Sequence, residues 1–250
     1  MATEATPSSL AGGQAEVWND AEAARAFDEI VKTNPKHQKL FEWMRDALAL
    51  HSGRINRIVN IGGGTASFEE SLRAAGNNIH VDLVDPGEHG TTRIAVTKAI
   101  SGVTIIPRSF EGYTPPRGRG ERLAVVSSYA LHNFSPEVRS GLFYWLKANL
   151  KRGEVFILGD TVADDPIGSQ LRVTREVLDK FLAAVGIKHW GNNEAIPLLY
   201  RQRIKQHTEQ DDPRTAPDFN EYADLAQNLG FSVQTTHQDG YLKTMVFTTL

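Results

Sequence analysis

The sequence predicts an α/β fold in which a mostly parallel, doubly wound sheet of seven strands ends in an antiparallel hairpin. Five short apolar runs alternate with helical patterns: "RIVNI", "IHVDLV", "VTIIP", "LAVVSS" and "VFILGD". Strands that are apolar on both faces are typical of a parallel sheet covered by crossover helices. Two alternating runs, Phe231 to His237 and Leu242 to Thr248, flank a turn at Asp239 and Gly240 and predict the hairpin.

Helical periodicity surrounds these strands. Apolar side chains recur at three- and four-residue steps from Ala15 to about His51, and Pro35 suits the first turn of a second helix. Further helices are predicted at Phe68 to Ala75, Glu88 to Ile100, Pro136 to Leu150, Gly168 to Val185 and Glu194 to His207.

The composition bounds the class of protein. The chain has 250 residues, 40% of them hydrophobic and 23% charged, with 27 Lys and Arg against 30 Asp and Glu. No basic run is long enough to predict a nucleic-acid partner, and no apolar stretch approaches the roughly 20 residues that span a bilayer. The absence of cysteine excludes disulfides and thiolate chemistry, and the amino terminus lacks the pattern of a signal peptide. We therefore expect a cytoplasmic protein without a membrane role.

Three consecutive glycines follow the first predicted strand, in "RIVNIGGGTASFEESL". Glycines at a strand-to-helix turn allow a ligand to approach the backbone, and the next helix offers free N–H groups. Asp85, at the end of the second predicted strand, is placed to accept the hydroxyls of a ribose, and Asp82 is the alternative acceptor. The glycine turn (residues 62–66) and this carboxylate predict an adenosine-containing cofactor. A tight turn without a ligand is the competing interpretation.

Nicotinamide dinucleotides and S-adenosylmethionine both fit this pattern. The dinucleotide fingerprint requires a third small residue for close helix packing, and Ser67 meets that requirement only loosely. The carboxyl-terminal hairpin favours S-adenosylmethionine.

From about Ala15 to Leu250 the chain resembles the class I S-adenosylmethionine-dependent methyltransferases. "VNIGGGTASF", "VDLVDPG", "IIPRSFEG" and "LAVVSSYALHNFSPEV" resemble four successive motifs of that family, which has a Rossmann-like fold. The resemblance implies that the glycine turn holds the methionine part of the cofactor, Asp85 its ribose, and residues after the third strand its adenine. The implied cofactor-binding residues are Asn60, Gly62, Gly63, Gly64, Asp85, Pro86, Ser109, Phe110, Ser127 and Ser128.

Three positions depart from the family pattern. Asn60 replaces an acidic residue, Ala66 replaces the last glycine of the turn, and Ser109 stands where an aspartate is common. Asn60 and Ser109 can still form hydrogen bonds but carry no charge. The alternatives to methyl transfer are therefore a cyclisation or rearrangement on the same fold, a tRNA-modifying enzyme of the superfamily, and an inactive binding partner.

Methyl transfer requires alignment of a nucleophile and, for some acceptors, removal of a proton. His132, just past the fourth strand, is the candidate base, although a capping or packing role also suits it. Tyr129 is a candidate to orient the substrate or to belong to the core. Asp160, Asp164 and Asp165 form an acidic cluster that we interpret as a helix N-terminus, and we expect no metal site.

The domain organisation follows from these assignments. Residues 1–15 are an expected disordered tail, and 16–250 form one domain with a helical lid (16–52), a cofactor-binding core (53–189), a substrate-lid insert (190–217) and a terminal helix and hairpin (218–250). In the insert, Trp190, Tyr200 and Arg201 are expected to contact a small-molecule substrate, which we expect to be a secondary metabolite. A homodimer is a further expectation.

Overall fold

A computed structural model describes residues 21, 24–25, 28, 31–32, 35–51, 55–87, 90–161, 219–239 and 242–250. Within these residues the chain forms one seven-stranded sheet in the order β3-β2-β1-β4-β5-β7-β6. The strands are β1 (Arg57–Ile61), β2 (His80–Val84), β3 (Val103–Ile106), β4 (Leu123–Ser128), β5 (Val155–Thr161), β6 (Phe231–Asp239) and β7 (Leu242–Thr249).

The first five strands are parallel, and the hairpin enters the sheet antiparallel to β5. β1 pairs with β2 on one side and with β4 on the other, so the strand order reverses direction between β1 and β4. β5 pairs with β7 from Val155, opposite Thr248, to Thr161, opposite Leu242. In open α/β sheets, ligands bind beside the carboxyl ends of the strands at such a reversal point.

Helices cover both faces of the sheet. Their bounds are α1 (Pro35–His51), α2 (Ser67–Ala74), α3 (Thr91–Lys98), α4 (Pro136–Asn149) and α5 (Phe219–Asn228). On one face, α4 and α5 pack through Phe143 and Tyr222 against Phe156 and Phe247 of the sheet. On the other face, α1 and α2 pack side chains such as Met44 against β4, β5 and β7.

The structure confirms the predicted fold class. The run "RIVNI" forms β1 and "LAVVSS" forms β4 without a change of bounds, because both strands are buried on both faces. The helix predicted at Glu88 to Ile100 is shorter, from Thr91 to Lys98: the chain folds back at Gly90 before it, and Ala99 adopts a left-handed conformation after it. The segments 168–185 and 194–207 lie outside the described residues.

None of the helices in the described ranges is long and apolar enough to cross a membrane.

Candidate functional site

The glycine turn alternates left-handed and ordinary backbone conformations as it leaves β1. Gly62 has a φ of 68° and Gly64 a φ of 56°, and Ala66 follows with a φ of 64°. A Cβ atom on Gly62 would lie 2.5 Å from the Cβ atom of Ala130, so the segment after β4 packs directly on this glycine. Glycine is therefore required at position 62 by both conformation and space.

Asp85 connects the glycine turn to the loop after β2. Its Oδ2 atom accepts a hydrogen bond from the backbone N–H of Gly64 (2.9 Å), and its Oδ1 atom accepts from the N–H of Gly87 (2.8 Å) and the hydroxyl of Thr91 (2.9 Å). Burial raises the pKa of this carboxyl group, and the three hydrogen bonds act against that rise by stabilising the carboxylate. Asp85 thus fixes the geometry of both loops.

One cavity lies at the carboxyl ends of β1, β2 and β4, between these loops. Its lining comes from the amino-terminal helical region, the glycine turn, the loop after β2 and the segment after β4. The lining residues are Val31, Phe41, Gly62, Gly63, Gly64, Thr65, Ser67, Phe68, Asp85, Pro86, Gly87, Thr91, Ser128, Tyr129, Ala130, Asn133, Phe134, Ser135 and Val138.

Aromatic side chains form much of the wall opposite Asp85. Phe41 of α1 meets Phe68 of α2 edge to face, with ring centroids 5.5 Å apart. Phe134, in the segment after β4, stacks at 6.3 Å on Phe110, which is buried in the core behind it. The cavity therefore has a polar side at the turn and an apolar side at these rings.

Tyr129 follows β4 with an uncommon backbone conformation. Its φ is 51°, and its N–H donates to the carbonyl oxygen of Gly159 (2.9 Å). The ring stacks on His37 of α1 at a centroid distance of 4.2 Å. A non-glycine residue in the left-handed region is uncommon, and such residues cluster at functional sites.

His132 lies in a short 3₁₀ turn (Leu131–Asn133) and is held by Asp160 at the end of β5. The Oδ1 atom of Asp160 is 2.6 Å from Nδ1 of His132, and Oδ2 accepts from the backbone N–H of His132 (3.0 Å). The His132 side chain is 12% exposed, and His132 is not among the described residues that line the cavity. Its ring orientation is set by a fully buried carboxylate.

Solved structures share this architecture. Magnesium protoporphyrin IX methyltransferase (ChlM) from Synechocystis PCC 6803, solved with bound SAH, aligns with a TM-score of 0.54 at 15% identity over 86% of this chain and 83% of its own. The DhpI-SAM-HEP complex aligns with a TM-score of 0.59 at 13% identity, over 97% of this chain and 99% of its own. The plantazolicin methyltransferase BpumL in complex with SAH aligns at 0.53 and 11% identity, over 94% and 98%.

The strand order and these alignments decide the fold. The chain has the class I methyltransferase fold. No protein-family profile and no curated protein sequence matches it.

The class I fold brings most of the predicted cofactor residues to the cavity. Those that line it are Gly62, Gly63, Gly64, Asp85, Pro86 and Ser128, together with the predicted substrate residue Tyr129. The alternative acceptor Asp82 lies elsewhere: its carboxylate bonds to Arg57 (2.9 Å) and to the hydroxyl of Tyr113 (2.7 Å). Its side chain is thus committed to contacts within the core.

Four predicted cofactor residues do not line the cavity. The Ser127 hydroxyl donates to the carbonyl oxygen of Ile61 (2.8 Å), the Ser109 hydroxyl to Glu111, and Phe110 belongs to the core. Asn60 is fully buried behind the turn. Direct contact of these four side chains with a cofactor remains a prediction.

Asn60 has a partner that sequence reasoning missed. Its Nδ2 atom donates to Oε1 of Glu69 on α2 (2.7 Å), and both side chains are fully buried. Burial raises the pKa of Glu69 to about 7, against the opposing effect of that hydrogen bond. The acidic group absent from position 60 is thus present nine residues later, and a Glu in the first turn of the next helix was the available signal.

The remaining predictions fall elsewhere. Trp190, Tyr200, Arg201, Asp164 and Asp165 lie outside the described residues. Within the described ranges, no group of three or more His, Asp or Glu side chains is placed to hold a metal ion.

Proposed function

We propose that the chain is an S-adenosylmethionine-dependent methyltransferase acting on a small, largely apolar acceptor. One observation carries the proposal: a cavity at the reversal point of a class I sheet has a glycine turn and a buried carboxylate on one side and aromatic rings on the other. The carboxyl ends of β1, β2 and β4 are where ligands bind in open α/β sheets.

The acceptor capacity of Asp85 fits an adenosyl group. An ionised carboxylate has roughly four lone-pair directions, and the hydrogen bonds of Asp85 within the chain use three of them. The remaining position, on Oδ2 beside the N–H of Gly64, suits a ribose hydroxyl. Gly64 itself has open space where a Cβ would stand, so its backbone is accessible from the cavity.

The apolar side of the cavity indicates the class of acceptor. Among the described lining residues, Asp85 alone carries a formal charge, and Phe41, Phe68, Phe134 and Val138 contribute apolar surface. Burying a charged acceptor there would be costly without a partner charge. We therefore propose an uncharged acceptor with an aromatic or aliphatic body.

The bound cofactor would supply a methyl group on a sulfonium centre, an already activated carbon. The chain would hold the acceptor in line and, for a hydroxyl acceptor, remove its proton. His132 is the proposed base: Asp160 accepts the proton-bearing Nδ1, which leaves Nε2 as the acceptor.

The His132 assignment has a direct test. In an assay that follows transfer of a labelled methyl group to a panel of uncharged phenols and alcohols, His132→Gln and His132→Ala should lower kcat about 10²-fold or more while S-adenosylhomocysteine affinity stays unchanged. His80→Gln is the matched control, because His80 bonds to Asp82 and Thr104 near the opposite ends of the strands. Full activity of His132→Ala would favour the capping role, in which the two bonds to Asp160 only fix the 3₁₀ turn.

The neutral residues Asn60 and Ser109 motivated the alternative of a cyclisation or rearrangement. Their side chains bond to Glu69 and Glu111 instead of lining the cavity, so the missing charges lie away from it. That arrangement supports methyl transfer as the first choice. Conversion of a substrate by protein stripped of the methyl donor would support the alternative, and tight cofactor binding without methylation of any acceptor would count against our proposal.

A further inference from the structure

The amino-terminal helical region contacts the glycine turn through one buried carboxylate, Asp28. Its Oδ1 atom accepts hydrogen bonds from the hydroxyls of Thr65 (2.8 Å) and Ser67 (2.7 Å), and from Nζ of Lys98 (2.6 Å). Its Oδ2 atom pairs with Lys32 at 2.9 Å. Asp28 is only 8% exposed, so these bonds form largely away from water.

The two hydroxyls flank a strained residue. Ala66, between Thr65 and Ser67, is fully buried and adopts a left-handed conformation with φ 64° and ψ 27°. Non-glycine residues avoid this conformation because their Cβ crowds the backbone. Ala66 is also the N-cap of α2, and its side chain offers no capping hydrogen bond. The local sequence therefore does not explain why the turn keeps this shape.

Asp28 supplies what the local sequence lacks. By binding the hydroxyls on both sides of Ala66, it holds the residue in the left-handed conformation and fixes the start of α2. Thr65 and Ser67 both line the cavity, and so does Val31 from the same helical region. A shift of this turn would move one wall of the cavity.

We propose that Asp28 is a positioning residue for the cofactor-binding turn, acting through Thr65 and Ser67 on Ala66. This inference rests on the proposed cofactor binding. It makes the amino-terminal region a structural part of the nucleoside site, in addition to covering it. Asp28 lies 37 positions before Thr65 and does not itself line the cavity.

A simpler role must be separated from this one, namely that Asp28 only docks the amino-terminal helix through its lysine pairs. Two variants distinguish the roles. Asp28→Asn loses both lysine ion pairs but keeps an oxygen that can accept from the two hydroxyls. Ala66→Gly in an Asp28→Ala background removes the left-handed strain and does not restore any ion pair.

The experiment is calorimetric titration of S-adenosylhomocysteine into the wild type and these variants. Asp28→Ala should weaken binding about tenfold, the factor expected for one residue's left-handed strain. Asp28→Asn should stay within about threefold of the wild type, and Asp28→Ala with Ala66→Gly should regain most of the loss. Lys32→Gln, which breaks only the exposed ion pair, is the matched control and should bind as the wild type does.

Three results would overturn the inference: unchanged affinity of Asp28→Ala, a loss that Ala66→Gly does not recover, or an equal loss in Asp28→Asn. Hydrogen exchange without nucleoside gives a second readout, because Asp28→Ala should speed exchange at the N–H of Ala66, which donates to Gly63. Unchanged exchange there would also contradict it. A wild type that binds no nucleoside would instead refute the proposed function, while the exchange result would still judge the role of Asp28.

Discussion

Two acidic side chains lie on opposite sides of the glycine turn, Asp28 on the side of the amino-terminal helix and Glu69 on the side of β1. Both are buried, with exposed fractions of 8% and 0%. Burial alone would raise the pKa of Asp28, but hydrogen bonds from Lys98, Lys32 and Ser67 outweigh it and lower the pKa to about 2. Glu69 receives one neutral hydrogen bond, from Asn60, and its pKa rises to about 7.

The comparison shows that partners, and not depth, determine which carboxylate stays charged. Two ammonium groups and two hydroxyls compensate the desolvation of Asp28, whereas a single amide cannot do so for Glu69. The turn is therefore held from one side by a charged network and from the other by a pair that is near its protonation midpoint at neutral pH. The two sides should respond to pH with opposite signs.

The largest expected effect concerns Glu69. Its folded pKa of about 7 exceeds the ordinary 4.5, so the folded state binds the proton more tightly, and the free energy of unfolding falls as pH rises from about 4.5 to 7. Glu69→Gln cannot ionise and should lack this decline. The variant should gain about 3 kcal/mol relative to the wild type between pH 4.5 and pH 8.5, measured by denaturant unfolding.

Glu42→Gln is the control for that measurement, because Glu42 is exposed and pairs only with Lys39 among the residues bonded to it by hydrogen bonds. Its pH profile should run parallel to that of the wild type. Parallel profiles for Glu69→Gln and the wild type would show that Glu69 is charged at neutral pH, and the contrast between the two sides of the turn would disappear.

Asp28→Asn tests the other side of the turn. The folded pKa of about 2 lies below the ordinary 3.8, so the stabilisation is complete above pH 3.8 and is lost as pH falls toward 2. We expect the variant to lose about 2 kcal/mol of unfolding free energy, constant between pH 5 and 8. A difference that varied across that range would contradict the lowered pKa.

Alanine at Gly63 or Gly64 should separate the two sides sterically. A Cβ on Gly63 would lie 2.6 Å from Leu83 and 2.8 Å from Nδ2 of Asn60, so it would disturb the Asn60–Glu69 pair, whereas Gly64 has open space but a φ of 56°. We expect Gly63→Ala to cost about 1 kcal/mol more than Gly64→Ala in thermal unfolding. Equal costs would mean that Asn60 and Leu83 yield easily.

The smallest effect is expected at Lys32. Its side chain is 50% exposed, against 10% for Lys98, although both pair with Asp28. Lys32→Gln should change the unfolding free energy by less than about 0.5 kcal/mol, and Lys98→Met by clearly more. The reverse order would show that the exposed pair holds the amino-terminal region.

Much of the sheet could be predicted because its central strands are apolar on both faces, a pattern that survives without tertiary context. The bounds of α3 were less predictable, because the segment from Asp85 to Gly90 is shaped by the bonds of Asp85 rather than by local preference. Helical periodicity alone continued the helix through these residues.

The site divides in the same way. The glycine turn, Asp85 and Tyr129 stand at the ends of strands, so the fold places them at the cavity. Asp28 has no local signal, since its partners lie 37 to 70 positions away. Phe134 and Val138 lie within the quoted fourth-strand motif, but only the structure shows that they line the cavity.

The most direct test of the account is calorimetric titration of S-adenosylhomocysteine into the wild type, Asp85→Ala and Asp224→Ala. Asp224 lies exposed on α5 and serves as the matched control. The account predicts one site per chain in the wild type, affinity more than tenfold weaker in Asp85→Ala, and no change in Asp224→Ala. Absence of binding to the wild type, or equal affinity in Asp85→Ala, would contradict it.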